Sequence, residues 1–459
     1  MSRKPLAKLC WVIRVSENIC KSNKGKVFFE VGAMDKGIET SEQIQNLKSK
    51  IQNRLWVITE LYYPENNQTG YYLTKIAEGL TEKFEVKVIC GQPNYAARGT
   101  RAAKNEIHQK VEIFRVWGTT WDKDVLAFRL INMLTLGASI FFKSLVKFKK
   151  NEDVLVVSAP PSLPFITALA AKIRRANYTL IIQDKYPETL IAVGKTKEKA
   201  FFVQILHRCN RWLYQKAKKI IVVGRDMREL VETQLKQSSG NQPPIEVIQN
   251  WASLEEVEPT PRAANEILRE HNLLDKFVFL YAGNMGHPQD LESIIYCADK
   301  LKADERFHFI FLGSGVKRKW LEREVEDRQL KNVTLLSPRP RQEQKIFLNA
   351  CDVGLVSLVK KMRGVAMPSR TYNLLAAGKP ILALTEDNSE VAIVIEEDKV
   401  GWFVPPSEPE KLLQAIYQIY EQRECLPEMA ERARKSALEK YSLNSTIKKY
   451  KQVMVNGKL

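Results

Sequence analysis

The sequence predicts an α/β protein made of two Rossmann-like, doubly wound domains that face each other across a cleft. Three observations predict it. From residue 54 onward, short β-branched runs alternate with longer helical patterns, the signature of parallel sheets with helical crossovers. The alternation comes in two series, separated by a stretch rich in Ser, Gly, Pro and Glu. The 459 residues are also enough for two or three domains of ordinary size.

Taken in order, residues 1–53 carry weak periodicity and many Lys, Ser and Gln. They read as a mobile extension or an over-long start of translation, with no function placed there. Strands are expected at 55–59, 86–90, 111–116, 154–158, 179–183 and 220–223, forming an N-terminal domain over 54–240. A linker at 241–262 contains one short strand, 245–248. The second series, at 277–282, 307–312, 333–336, 353–356, 381–384 and 401–404, forms a C-terminal domain over 263–441. A final helix at 442–455 is expected to pack back on the first domain.

Composition narrows the function classes. With 44% apolar residues the chain is too hydrophobic for intrinsic disorder, and no uncharged apolar run reaches the roughly eighteen residues of a membrane span. The net charge of +18 is uneven: residues 1–250 hold 40 Lys and Arg against 23 Asp and Glu, and residues 251–459 hold 31 against 30. Only the N-terminal half is suited to a polyanion, either nucleic acid or an anionic membrane. The seven cysteines show no CxxC pair and no metal-ligand spacing with His, which suits a reduced cytoplasmic location. The apolar stretch 9–13 is too short for a signal-peptide core.

The segment 125–150 belongs with this charge. Arg129, Asn132, Ser139, Lys143, Lys147 and Lys150 recur at helical spacing among Phe128, Ile131, Leu134, Ile140, Phe142 and Leu145. An interfacial membrane helix with a basic edge has this pattern, and so has a helix packed on a sheet with one solvated edge.

Ligands of open parallel sheets bind beyond the carboxyl ends of the strands, so the strand-to-helix loops are where a site is expected. The first such loop ends in Thr69-Gly70, a turn where backbone could approach an anion at a helix start. Its counterpart in the second domain, Gly283-Asn284-Met285-Gly286, has more glycine than a turn requires, and Gly313-Ser314-Gly315 ends the next strand similarly. In Pro368-Ser369-Arg370, Ser369 is a candidate N-cap for a short helix closed by Gly378. A cation in the first turn opposes the helix dipole, and a dianionic ligand held by Arg370 and the turn's amides would resolve the conflict.

These segments, with Ala376-Ala377-Gly378-Lys379-Pro380, Ser389-Glu390-Val391 and Gly401-Trp402-Phe403-Val404, resemble the nucleotide-sugar half of family-four glycosyltransferases of the GT-B fold. Ser158-Ala159-Pro160-Pro161, Gln183-Asp184-Lys185-Tyr186-Pro187 and Ile248-Gln249-Asn250-Trp251 resemble the N-terminal half of a bacterial branch that builds colanic acid and related surface polysaccharides. The resemblance covers about residues 54–445. It implies retaining transfer from a nucleoside-diphosphate sugar, UDP- or GDP-linked, without a cofactor or metal. Arg370 would be the electrostatic catalyst, and Asp184 would orient the acceptor. Gly283, Asn284, Gly313, Gly315, Arg339, Ser369, Tyr372, Asn373 and Glu390 would bind the donor, with Thr69 and Gly70 in the acceptor and phosphate loop. The acceptor would be a lipid-linked or other glycan at the inner face of the plasma membrane, met through the basic half. Val365 and Asn373 stand where many relatives carry a Glu pair, Asn284 and Gln289 where they carry Arg and Lys, and Gln183 where they carry His.

Other features fit plainer roles. Asp122-Lys123-Asp124 matches a metal-binding DxD, but Asp124 also suits an N-cap. His108, His207, His271, His287 and His308 form no i, i+4 pair, and His287 is expected at the surface. An inactive scaffold of the same fold stays open as an alternative. A nucleic-acid-binding protein is disfavoured, because the basic residues are not interleaved with aromatics on any recognisable module, so no nucleic acid partner is expected.

Overall fold

The computed structural model describes residues 53–65, 67–93, 101–121, 125–237 and 240–456. Apart from Asn53, the expected extension 1–53 lies outside the described residues, as do Asp122 and Asp124.

The N-terminal lobe is an eight-stranded sheet. Its strands are β1 (Asn53–Ile58), β2 (Phe84–Cys90), β3 (Asn105–His108), β4 (Val111–Arg115), β5 (Asp153–Val157), β6 (Asn177–Ile182), β7 (Lys219–Val222) and β8 (Ile245–Val247). Their order is β3-β4-β2-β1-β5-β6-β7-β8, and every neighbouring pair is parallel except β3 with β4. The C-terminal sheet is wholly parallel. It comprises β9 (Phe277–Ala282), β10 (Phe307–Leu312), β11 (Val333–Leu336), β12 (Val353–Ser357), β13 (Ile381–Leu384) and β14 (Gly401–Val404), in the order β11-β10-β9-β12-β13-β14.

Two elements differ from the sequence expectation. β3 is an exposed edge strand of Asn, Glu, Ile and His, joined to β4 through Gln109 and Lys110 at φ 47° and 67°. A tight turn that uses left-handed residues without Gly or Asn leaves little trace in sequence. The segment of β8 reads as a short strand within the linker, yet β8 pairs in parallel with β7, so residues 245–247 belong to the N-terminal sheet. A three-residue strand acquires its hydrogen bonds only from the neighbour that it meets on folding.

Chain direction distributes the helices. The crossover Gln68–Leu80 runs from β1 to β2, opposite in sense to Leu126–Lys147, Leu163–Arg174 and Phe201–Lys216, which lead from β4 through β5 and β6 to β7. Right-handed connection therefore puts Gln68–Leu80 on one face of the sheet and the other three on the opposite face. The final helix, Leu443–Asn456, joins Gln68–Leu80: Ile447 lies against Gly79, and Lys451 pairs with Glu82 at 2.6 Å.

The stretch Ala127–Lys147 does have the length and composition to cross a membrane, although no uncharged run of that size was seen in the sequence. Its charges, Arg129, Lys143 and Lys147, lie near the ends. In the fold it lies on the sheet, with Asn132, Leu136, Ile140 and Ser144 buried at four-residue spacing. The helix starts after Val125, which provides no side-chain cap.

The lobes are joined by more than the linker. Asp184 and Ala366 form an isolated antiparallel bridge, and the Lys185 N–H donates to the Val365 carbonyl at 2.9 Å. Beside it, the Asp226 carboxylate accepts from the Gly364 and Glu390 N–H groups at 2.9 and 3.0 Å.

Candidate active site

Between the carboxyl ends of the two sheets lies a cavity of about 780 Å³. Thr69, Gln183, Asp184, Tyr186 and Asn250 line it from the N-terminal lobe. Gly283, Asn284, Gly313, Arg339, Ser369, Arg370 and Asn373 line it from the C-terminal lobe. Most of the residues singled out from sequence thus meet on one space; Gly70, Gly315, Tyr372 and Glu390 do not line it.

Arg370 opens the short helix Arg370–Ala376 and extends beneath the loop that follows β9. Its guanidinium carbon sits 4.3 Å from the centre of the Tyr281 ring, at the end of β9. Tyr281 is fully buried and donates its hydroxyl to the Asn284 carbonyl at 2.6 Å. One side chain therefore supports both the cation and the glycine loop. In the sequence it stands within the expected strand 277–282, and nothing in a strand's apolar pattern marks it for this role. Among the described residues Arg370 Nη1 is buried without a hydrogen-bond partner, a costly state for a charged donor.

Glycine at 283 is required by space as well as conformation. Its φ is +145°, and an added Cβ would come within 2.7 Å of Arg370 Nη2. At Gly313, φ +141°, a Cβ would meet the Gly283 carbonyl oxygen at 2.0 Å. The two loops interlock through the Gly283 N–H to Leu312 and the Met285 N–H to Ser314, at 2.8 and 2.7 Å. Gly315 lies behind them, against Met285.

On the opposite wall, Ser158 shapes the turn after β6. Its hydroxyl oxygen accepts from the Gln183 N–H at 3.1 Å and donates to the Asp184 carbonyl at 3.2 Å. The Asp184 side chain is exposed to the cleft but sunk between the lobes. Burial pushes its carboxyl up to about 6 by crowding out the water that would stabilise its charge. Beneath it Lys185 is fully buried and pairs with Glu188 at 2.5 Å; burial lowers the lysine's pKa.

The remaining residues have more structural surroundings. Ser369 occupies the N-cap position but its side chain makes no capping bond. The Gly70 N–H is taken by Asn67 Oδ1 at 2.9 Å, so that amide is not free for an anion, and a Cβ at Gly70 would crowd Glu65 and Asn67. Arg339 pairs with Glu343 at 3.1 Å. Asn373 accepts the Ser253 N–H through Oδ1 at 3.1 Å, tying the linker to the cleft. Tyr372 is fully buried, 4.7 Å from the Tyr441 ring. His287 is exposed.

Glu390 is fully buried at the lobe boundary rather than in the cavity. Oε2 accepts from the Arg225 N–H and Nε at 2.6 and 3.0 Å, and Oε1 from Arg225 Nη2 at 3.1 Å. Arg225 also reaches Glu397 at 2.7 Å. No sequence signal pairs residues 165 positions apart.

Residues 264–437 match the family described as glycosyl transferases group 1. The chain is 29% identical over 369 residues to a Pseudomonas aeruginosa protein named as the glycosyltransferase WbjE, covering 80% of this chain and 90% of that one. It is 25% identical over 378 residues to WcaI of Escherichia coli, named for a glycosyl transferase of colanic acid biosynthesis, covering 78% and 89%. Among solved structures, Anabaena HepE in complex with UDP superposes with a TM-score of 0.64 at 14% identity, covering 88% of this chain and 100% of that one, which shows the shared fold. The chain is a glycosyltransferase of the GT-B fold, and its residues 264–437 form a domain of the glycosyl transferases group 1 family.

Proposed function

We propose that this glycosyltransferase moves a sugar, with retention, from a nucleoside-diphosphate sugar held mainly by the C-terminal lobe to a lipid-linked saccharide, in surface-polysaccharide synthesis at the inner face of the plasma membrane. The carrying observation is the Arg370 guanidinium at the cavity with Nη1 buried and unpartnered. A diphosphate there supplies the missing acceptor, and the cation stabilises charge that builds on the leaving oxygen as the glycosidic bond breaks, with no metal required. The bond to C1 breaks with its electron pair going to the diphosphate. The acceptor oxygen bonds to C1 from the same side, and its proton passes to Asp184. A carboxyl raised to about 6 is ionised at neutral pH yet a better base than an ordinary aspartate.

The name of WcaI supports the surface-polysaccharide setting, that of WbjE supports glycosyl transfer, and the UDP held by HepE supports a nucleotide donor. Calorimetric titration with UDP and GDP, alongside nucleotide release from a panel of their sugars, tests the proposal. One nucleotide is expected to bind and its sugars to turn over. Binding of neither, with no release, would mean an inactive scaffold.

A further inference from the structure

We propose that the outer surface of three crossover helices, Leu126–Lys147, Leu163–Arg174 and Phe201–Lys216, docks on an anionic lipid bilayer. The inference rests on the membrane-held acceptor proposed above, and replaces a general attraction of the basic half with a particular surface.

The first helix has its apolar pattern on both sides. Its inward stripe is buried in the sheet packing, while Leu130, Leu134, Ala138, Phe142 and Val146 form a second stripe at four-residue spacing that faces solvent. Leu134 is 66% exposed, Phe142 65% and Val146 78%. A helix on a water-facing surface places polar side chains there. The second helix packs closely on the first: Gly137 lies so near Ile166 that a Cβ would come within 2.5 Å of its side chain. It exposes Leu169 and Ile173. The third helix packs on the second and exposes Ile205 and, at its start, Phe201 and Phe202, Phe201 at 81%.

Charge identifies the occupant. The three helices contain no Asp or Glu, whereas they carry Arg129, Lys143, Lys147, Lys172, Arg174, Arg208, Arg211 and Lys216. Exposed Lys149, Lys150 and Arg175 follow at their ends. Apolar side chains on basic helices that themselves carry no carboxylate match acyl chains beneath anionic headgroups. A second copy of the same basic face would instead repel it. The third helix also adjoins the acceptor wall from its inner side, because buried Asn210 donates to the carbonyl of cavity-lining Tyr186 at 2.6 Å.

Flotation of the full chain with vesicles of phosphatidylcholine alone, or mixed with phosphatidylglycerol, tests the proposal. The parent is expected to float with the mixed vesicles at least about tenfold more than with the neutral ones. The triple variant Leu134→Ser, Phe142→Ser, Val146→Ser should lose at least about tenfold of that binding. Lys172→Glu with Arg175→Glu, which leaves the apolar stripe intact, should lose at least about twentyfold. A Leu438→Ser variant, altering exposed apolar surface in the other lobe, should float like the parent. Matching thermal melts and retained nucleotide binding show that the variants are folded. Equal flotation with both vesicle types, undiminished binding by the two multiple variants, or a lipid-free dimer dispersed by the triple variant would overturn the proposal. Parent nucleotide binding is read separately, so a failed donor assignment is distinguishable from a failed lipid surface.

Discussion

The two walls of the cleft are built differently. On the C-terminal wall, neighbouring strand-end loops interlock backbone to backbone, at distances only glycine permits, and Arg370 is pressed against them. On the N-terminal wall, side chains from separate loops converge, with Ser158 bracing the turn that carries Asp184. A surface made of backbone has strict residue requirements and suits a ligand part common to many substrates. A surface of side chains can vary with the acceptor while the sheet beneath it is kept.

That contrast can be broken most directly at Arg370. Arg370→Ala should lower turnover by about 10²–10³-fold, as expected for loss of a charge-stabilising donor, with little change in a calorimetric melt because Nη1 has no hydrogen-bond partner among the described residues. Wild-type turnover in this variant would remove the catalytic assignment. Asp184 gives the next largest effect. Below about pH 6, kcat/KM should fall about tenfold per pH unit as the carboxyl protonates, and Asp184→Asn should abolish that limb. A limb that persists in the variant belongs to another group.

Stability measurements sharpen the comparison at the lobe boundary. Arg225→Ala leaves the Glu390 carboxylate buried without its main partner and should cost about 3 kcal/mol in denaturant unfolding, the low end for a broken buried pair because Arg225 is partly exposed. Glu390→Gln should also loosen the lobes; altered sugar discrimination without lost stability would return Glu390 to the donor site. The smallest effect is expected from Asp184→Asn on the melt. With its folded pKa raised, this group's contribution to stability is complete below the ordinary aspartate range and is lost as pH rises through about 6. The variant should therefore melt higher than the parent at about pH 7.5, and the difference should vanish in acid.

Legibility followed the kind of constraint. Gly283 and Gly313 stood out because close backbone approach restricts residue type within a few positions. Arg370 stood out because a cation at a helix start conflicts with its local surroundings. Tyr281 and Arg225 did not, since one looks like any buried strand residue and the other like any surface cation. Glu390 was singled out by its local motif, yet its carboxylate is engaged by a residue far away in the chain. β8 likewise looked like linker because its pairing partner is supplied by another segment.

The alternating β and α pattern, the glycine loops, the charged short turn and the asymmetry of charge are all written in neighbouring residues. That Asp184 and Arg370 line one cavity, that Arg225 binds Glu390, and that the first crossover helix leaves an apolar stripe in solvent emerges only in the folded chain. Periodicity specifies which faces of an element are apolar, whereas burial and pairing depend on which other surfaces the fold brings against them.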